Sequence, residues 1–193
     1  MRTVEGRFAT SRIYLWHCLA ILLPGIDVPN FAKAATFSGD LADLDDAELT
    51  LLIEEGRRQM DRQASRLDSV RSRAGSFITI GLAELALFSG SAHSDLSRGG
   101  TLLAAWAVAF ALATLGIMGA LAIISAPAVF GTVDTRRIGE SHPPLLPALA
   151  LIYVKSTSIG EETLNTRLTV SWYALLLLVF SAVVYALAWP FAS

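Results

Sequence analysis

The chain has 193 residues, of which 53% are hydrophobic and only 17% are charged, and its mean hydropathy is +0.53. The charged fraction lies well below the ~25% of ordinary soluble domains, and the composition indicates a membrane protein. The net charge of -2 and the pI of about 5.9 argue against a nucleic-acid-binding domain, and the single cysteine, Cys18, excludes an internal disulfide.

The N-terminal segment, residues 1–39, carries a short apolar stretch from Ile13 to Ile26. This stretch is too short to cross ~30 Å of hydrocarbon and is typical of a signal-peptide core. The sequence Ala32-Lys33-Ala34 also resembles a signal cleavage site. Export would, however, place the arginine-rich segment that follows outside the membrane, against the positive-inside rule. An interfacial anchor and an over-long start assignment are therefore alternatives to a signal.

Residues 40–73 predict a charged cytoplasmic helix with a heptad seam, because small or apolar residues step by four and three from Leu49 to Ala74. Acids gather in its first half and arginines in its second, which suits the helix dipole and places the arginines beside anionic headgroups. The helix either packs against the segment from Pro127 to Leu168 or forms an oligomer through the seam. The seam positions are Leu49, Ile53, Met60, Leu67 and Val70.

Residues 74–125 predict a hairpin of two membrane spans joined by a short loop from Ala92 to Gly100. The second span, Leu102 to Ile124, is uncharged and long enough to cross a bilayer. The first, Ala74 to Ser91, is shorter and contains Glu84, and a central acid makes insertion less favourable by ~2.5 to 3.5 kcal/mol. Small residues also recur on one face of the second span, which lets membrane helices approach closely. They are Ala105, Ala109, Ala113, Gly116 and Ala120.

Residues 126–168 are expected to form a cytoplasmic segment, and residues 169–193 a third span with its apolar core at Val170 to Ala188. Basic residues near span ends mark the cytoplasmic side. The loop from Ala92 to Gly100 holds one arginine, whereas residues 126–168 hold four basic residues. The sequence therefore predicts an all-α, multi-pass protein of a bacterial inner membrane, with the helix of residues 40–73 in the cytoplasm.

A polar layer is predicted in the middle of the membrane, where Glu84, Thr114 and Ser181 fall at similar depth, one in each span. An acid within a membrane normally faces protein or water and marks a functional site. Three interpretations are open. The carboxyl group is protonated and holds the helices together by a hydrogen bond, it lines a water-filled path, or the first span is misassigned.

No pattern predicts catalysis, a cofactor or a metal site. The histidines, His17, His93 and His142, lack metal-ligand spacing, and no nucleophile elbow, phosphate-binding loop or dinucleotide fingerprint is present. The pair Glu161-Glu162 is adjacent in sequence, so on a helix the two carboxylates point in different directions. We expect a protein that is not an enzyme, with no cofactor and no nucleic-acid partner.

The order of these elements resembles bacterial membrane effectors of antiphage nucleotide signalling, the Pycsar and SLATT membrane families. The resemblance spans Leu49 to Trp189 and is carried by Arg71-Ser72-Arg73-Ala74 before the hairpin and by Glu161-Glu162-Thr163-Leu164-Asn165-Thr166-Arg167 before the last span. It implies a protein that disrupts the membrane when it is triggered.

The expected function is that of an oligomeric, membrane-perturbing or regulatory effector whose partners are the lipid bilayer and further copies of the chain. One alternative is a non-catalytic accessory subunit of a larger membrane complex, which would bind another protein. The other alternative is a small transporter-like protein.

Reporter fusions test the predicted topology. Fusions at Asp95 and at Ser193 should both report the outer side of the membrane, because the arginines flank the opposite end of the first span. The measurement is the activity of a reporter that works on only one side of the membrane. A cytoplasmic signal at Ser193 would indicate an even number of spans and would make Ile13 to Ile26 a candidate for the additional one.

Overall fold

The computed structural model describes residues 4–23, 41, 44–98, 100–126 and 145–188, with the side chains of residues 4–10, 91–98 and 101 excepted. Over these residues the chain forms four helices and no strand. The helices are α1 (Val4–Leu22), α2 (Asp46–Arg98), α3 (Gly100–Ser125) and α4 (Leu145–Ala188). The all-α class predicted from the sequence is confirmed for the described part of the chain.

Two helices are long and apolar enough to cross a membrane, namely Leu102–Ser125 within α3 and the whole of α4, Leu145–Ala188. They contain the predicted spans Leu102 to Ile124 and Val170 to Ala188, so the length and apolar character expected of those two spans are confirmed. The remaining predicted span, Ala74 to Ser91, is part of α2 and stays a prediction.

Helix α2 begins at a reciprocal pair of hydrogen bonds known as a capping box. The carboxylate of Asp45 accepts from the backbone N–H of Glu48 at 2.7 Å, and the carboxylate of Glu48 accepts from the backbone N–H of Asp45 at 3.1 Å. These bonds satisfy backbone donors that the first turn of a helix leaves unpaired, and such a cap stabilises a helix by ~1 kcal/mol. The acids at this end also oppose the positive end of the helix dipole.

Helix α2 then continues for 53 residues, past the boundary predicted between the cytoplasmic helix and the first span. It also includes most of the segment expected to be a loop, since it ends at Arg98 and α3 begins at Gly100. The physical reason is that no residue from Ala92 to Arg98 is a strong helix breaker. The first such signal is the glycine pair Gly99-Gly100.

The chain divides into two compact units. The bundle unit contains α1, the part of α2 from Val70, α3, and the part of α4 from Arg167. The pair unit contains α2 up to Ser69 and α4 up to Thr166. Helices α2 and α4 therefore contribute to both units.

In the bundle unit, α3 packs closely against α2 and α4 at glycines. A Cβ atom placed on Gly81 of α2 would lie 2.5 Å from Cγ1 of Ile117 on α3. A Cβ atom placed on Gly116 of α3 would lie 2.9 Å from Cγ of Leu178 on α4. The core around these contacts consists of Phe88, Ala109, Ala113, Leu178 and Tyr185.

Helix α1 also packs on α3, where Gly119 leaves room for the phenol ring of Tyr14. The Tyr14 hydroxyl donates a hydrogen bond to the carbonyl oxygen of Leu115 at 2.9 Å, and its ring centroid lies 5.7 Å from that of Tyr173 on α4. The apolar stretch that begins at Ile13 is thus part of the bundle unit as far as Leu23. The cleavage-like sequence Ala32-Lys33-Ala34 lies outside the described residues.

A pair of glycine substitutions on α2 tests the close packing of the bundle unit. Gly81→Ala should lower the free energy of unfolding by ~1 to 2 kcal/mol, because overpacking against Ile117 costs more than the gain in helix propensity. Gly75→Ala is the matched control, since its Cβ would meet nothing within 4 Å. It should raise the same free energy by ~0.5 to 1 kcal/mol. Denaturant titration in detergent measures both, and a rise of equal size for the two variants would contradict the packing.

Candidate functional site

The structure brings together two of the three residues predicted for the polar layer. The Ser181 hydroxyl on α4 donates a hydrogen bond to Oε2 of Glu84 on α2 at 3.1 Å. Ser181 is completely buried, whereas Glu84 is half-buried. Its second carboxylate oxygen has no hydrogen bond among the described residues, so it remains able to bind a proton, a water molecule or a cation.

Thr114, the third residue of the predicted layer, is used within its own helix. Its hydroxyl donates to the carbonyl oxygen of Phe110 at 2.8 Å, and no hydrogen bond joins it to Glu84 or Ser181 in the described part of the chain. The positions of the three residues along their spans predict a common depth but not the direction in which each side chain points. A helical threonine commonly donates to a carbonyl oxygen of its own helix.

Aromatic side chains pack one turn beyond the Glu84–Ser181 contact. The rings of Phe88 and Tyr185 lie 4.7 Å apart between centroids, and the indole N–H of Trp106 donates to the carbonyl oxygen of Phe88 at 2.8 Å. Since Phe88 follows Glu84 on α2 as Tyr185 follows Ser181 on α4, the two helices run parallel here. The acid–hydroxyl pair therefore has an aromatic cluster on one side along the bundle.

The small residues predicted as a packing stripe on α3 lie mostly inside the bundle unit. Ala109, Ala113 and Ala120 are completely buried, and Gly116 is buried against Leu178. Ala105 is half-buried. The stripe thus faces helices of the same chain.

The seam predicted for self-association is covered by α4 within the chain. Leu49 and Ile53 form one cluster with Ala150 and Tyr153, and Met60 packs against that cluster. Leu67 and Val70, the remaining seam positions, are also buried, at 2% and 3% exposure. In this conformation α4 covers the first three seam positions, Leu49, Ile53 and Met60, so a second copy could occupy them only if α4 moved away.

The contact between α2 and α4 in the pair unit includes polar and small residues. The side-chain amide of Gln63 donates to the carbonyl oxygen of Thr157 at 2.9 Å, and its Oε1 atom is buried without a hydrogen bond among the described residues. A Cβ atom on Gly160 would collide with that oxygen. A buried polar group without a partner weakens an interface that apolar residues would hold more firmly.

A second polar contact of the pair unit joins Arg57 to Tyr153. Nε of Arg57 donates to the Tyr153 hydroxyl at 3.0 Å, and the guanidinium carbon lies 5.8 Å from the ring centroid. The hydrogen bond with Tyr153 raises the pKa of Arg57. Arg57 therefore stays protonated, as arginine does generally, and the contact does not change with pH near neutrality.

Arg167 caps the C-terminal end of α3. It is only 5% exposed, and its guanidinium donates to the carbonyl oxygens of Ile123 at 3.3 Å and Ala126 at 2.8 Å. Burial lowers the pKa of Arg167, and the charge of Arg71 lowers it further. The last carbonyls of a helix lack partners within the helix and carry partial negative charge, so a cation there is favourable.

Sequence reasoning used Arg167 only as a marker of topology. No local pattern indicates its second role, because its acceptors, Ile123 and Ala126, lie more than 40 residues earlier in the chain. Sequence reasoning also used the acids near Glu48 only for the helix dipole, although Asp45-Asp46-Ala47-Glu48 has the spacing of a capping box.

Comparison with models of known protein families, with curated proteins and with solved structures found no match for this chain. Within the described residues, no group of three or more His, Cys, Asp or Glu side chains is placed to hold a metal ion. His93 and His142 lie outside the described side chains.

Replacement of Arg167 tests its role at the end of α3. Arg167→Gln should lower the free energy of unfolding by ~2 to 4 kcal/mol, because it leaves buried carbonyl groups without their charged donor. Arg58→Gln is the control, since Arg58 forms an exposed ion pair with Glu54 worth at most ~1 kcal/mol. Unfolding in detergent measures both variants, and a loss below ~1 kcal/mol for Arg167→Gln would contradict the role.

Proposed function

We propose that this chain is a non-enzymatic, multi-pass protein of the bacterial inner membrane that acts as an oligomeric, membrane-perturbing or regulatory effector. The observation that carries the proposal is the contact between Glu84 and Ser181, an acid paired with a buried hydroxyl inside a helix bundle. An acid in such a place is costly in a membrane and is typical of an ion or proton pathway.

The surface of the bundle unit supports membrane placement. Large apolar side chains are exposed on every helix of the unit, whereas the core helix of a soluble protein is mostly buried. The most apolar stretches of α3 and α4 are only 44% and 28% buried within the described part of the chain. Exposed examples on α3 and α4 are Leu103, Val108, Leu121, Val179, Phe180, Val183 and Leu187.

The same surface supports a third span in α2. Ile80, Leu82 and Leu87 are at least half exposed, on the part of α2 that carries Glu84. Lipid is the surrounding that suits these side chains, and Glu84 is then the one acid of the predicted span. Arg71 and Arg73 precede the span, which by the positive-inside rule gives the cytoplasmic orientation of the charged helix.

The pair unit supports a regulated rather than a permanent activity. Its α2–α4 contact contains the side-chain oxygen of Gln63, which has no hydrogen bond among the described residues, and glycines at Gly56 and Gly160. Separation of the two helices therefore costs less free energy than separation of an apolar seam would. Self-association through the seam would follow such a separation. Helices α2 and α4 also carry Glu84 and Ser181, so a change in their pairing would act on the residues of the proposed pathway.

The alternatives make different predictions in cells. An effector is toxic when it is overexpressed and depolarises the membrane, as the resemblance to the Pycsar and SLATT families implies. An accessory subunit is inert alone and copurifies with another membrane protein. A transporter-like protein exchanges a particular solute without collapsing the membrane potential.

Flux through liposomes tests the role of Glu84. If the carboxylate lines a water-filled route, Glu84→Gln should reduce cation flux ~10-fold and Glu84→Asp should retain part of it, because acidic side chains attract cations in pores. Glu161→Gln is the control, since Glu161 is an exposed acid outside the predicted spans. It should leave the flux unchanged.

Two outcomes would contradict the proposed pathway. A wild-type protein that leaks no cation, with or without a trigger, excludes it. Equal flux of wild type and Glu84→Gln assigns Glu84 to helix packing, where the substitution should cost only ~0.6 kcal/mol.

A further inference from the structure

A partly buried arginine, Arg71, lies on α2 at the start of the bundle unit. The Nε atom of Arg71 is buried and has no hydrogen bond in the described part of the chain, and no ion pair of Arg71 is present there either. Buried charged donors in proteins are almost always paired. The arrangement therefore leaves a place for an acceptor that is not part of the described chain.

A second arginine raises the positive charge at the same place. The pairs Glu84–Ser181 and Phe88–Tyr185 are each 97 residues apart, and the same register on parallel helices puts Arg71 opposite Leu168, next to Arg167. The charge of Arg71 accordingly acts on Arg167. Arg167 already donates to the carbonyl oxygens at the end of α3, whereas the buried Nε of Arg71 has no acceptor among the described residues. An anion is the acceptor that best suits its guanidinium.

The surroundings of the two arginines fit an amphiphilic anion. Leu168 and Ile124 are 42% and 43% exposed, and Trp172 is 60% exposed, within the turns next to Arg167 on α4 and next to its carbonyl acceptors on α3. A free phosphate ion would leave these apolar side chains in water. A phospholipid would place its phosphate at the arginines and its acyl chains against the apolar residues.

The position along the helices fits the same ligand. Arg167 donates to carbonyl groups at the end of α3, whose apolar segment ends at Ser125. In a protein that spans a bilayer, this end of an apolar segment lies at the level of the lipid headgroups.

We propose that Arg71, with Arg167 beside it, binds the headgroup phosphate of an anionic phospholipid, whose acyl chains lie against Ile124, Leu168 and Trp172. The inference rests on the membrane placement under the proposed function, and it does not depend on effector activity. It differs from general attraction of arginines to an anionic surface, because it assigns one partly buried side chain to one lipid.

Thermal unfolding of the full chain in neutral detergent tests the site. The probes are short-chain phosphatidylglycerol, short-chain phosphatidylcholine and glycerol phosphate, added at ~0.5 M salt so that exposed charges are screened. Phosphatidylglycerol alone should raise the unfolding temperature, since a ligand that binds the folded state stabilises it. Arg71→Gln should weaken the apparent affinity for phosphatidylglycerol at least ~10-fold.

Arg73→Gln is the matched control, because Arg73 has the same charge, lies two residues further on α2 and is exposed. It should leave the apparent affinity unchanged at this salt concentration. Arg71→Lys should give an intermediate loss, since lysine keeps the charge but lacks the planar fork of donors. It also keeps the test decisive if Arg71→Gln does not fold.

Three results would overturn the site. They are no effect of phosphatidylglycerol on the wild type, an equal loss in the Arg71 and Arg73 variants, and an equal shift with glycerol phosphate, which would indicate a soluble phosphate ligand. Flotation with neutral phosphatidylcholine vesicles separates these results from failure of the membrane placement. A chain that does not float refutes the placement. A chain that floats, but whose unfolding temperature does not rise with phosphatidylglycerol, refutes this inference alone.

Discussion

The bundle unit depends on the small residues of α3, which let side chains of neighbouring helices approach its backbone. At Gly116 an added Cβ would lie 2.9 Å from Leu178 and 3.1 Å from the carbonyl oxygen of Ala174, and at Gly119 the Tyr14 ring takes the place that a side chain would fill. In the membrane proposed for this chain, the helices would gain no hydrophobic energy by associating, so close van der Waals contact and hydrogen bonds would hold them together. The small face of α3 supplies the first, and the Tyr14, Trp106 and Ser181 side chains supply the second.

The sequence predicted those properties that depend on composition and periodicity. The apolar runs at Leu102 to Ile124 and Val170 to Ala188 predicted helices able to cross a membrane, and the spacing from Leu49 to Val70 predicted a buried face on α2. A heptad pattern shows that a face is buried but not what covers it. Here the cover is α4, because Ala150 and Tyr153 lie against Leu49 and Ile53.

Other features could not be predicted because they depend on tertiary register. Glu84 and Ser181 meet because parallel packing of α2 and α4 places their side chains at the same level on facing sides of the two helices. Thr114 has a similar depth, but its hydroxyl bonds to its own helix. Arg167 caps a helix that ended 42 residues earlier at Ser125. No local pattern in either segment specifies that contact. The predicted loop from Ala92 to Gly100 is wrong for a different reason, since α2 continues to Arg98 because no strong helix breaker lies between Ala92 and Arg98.

The contact of α1 with α3 has a consequence for the order of assembly during synthesis. The Tyr14 hydroxyl and its acceptor, the Leu115 carbonyl oxygen, are 101 residues apart. At ~5 to 20 residues per second, a ribosome needs about 5 to 20 s to make the residues between them. Helix α1 therefore emerges long before the surface that receives it, and during that interval its exposed leucines and Trp16 are available to the insertion machinery or to a chaperone. Helix α1 is thus made before α3 but can reach its final position only after α3 has been made.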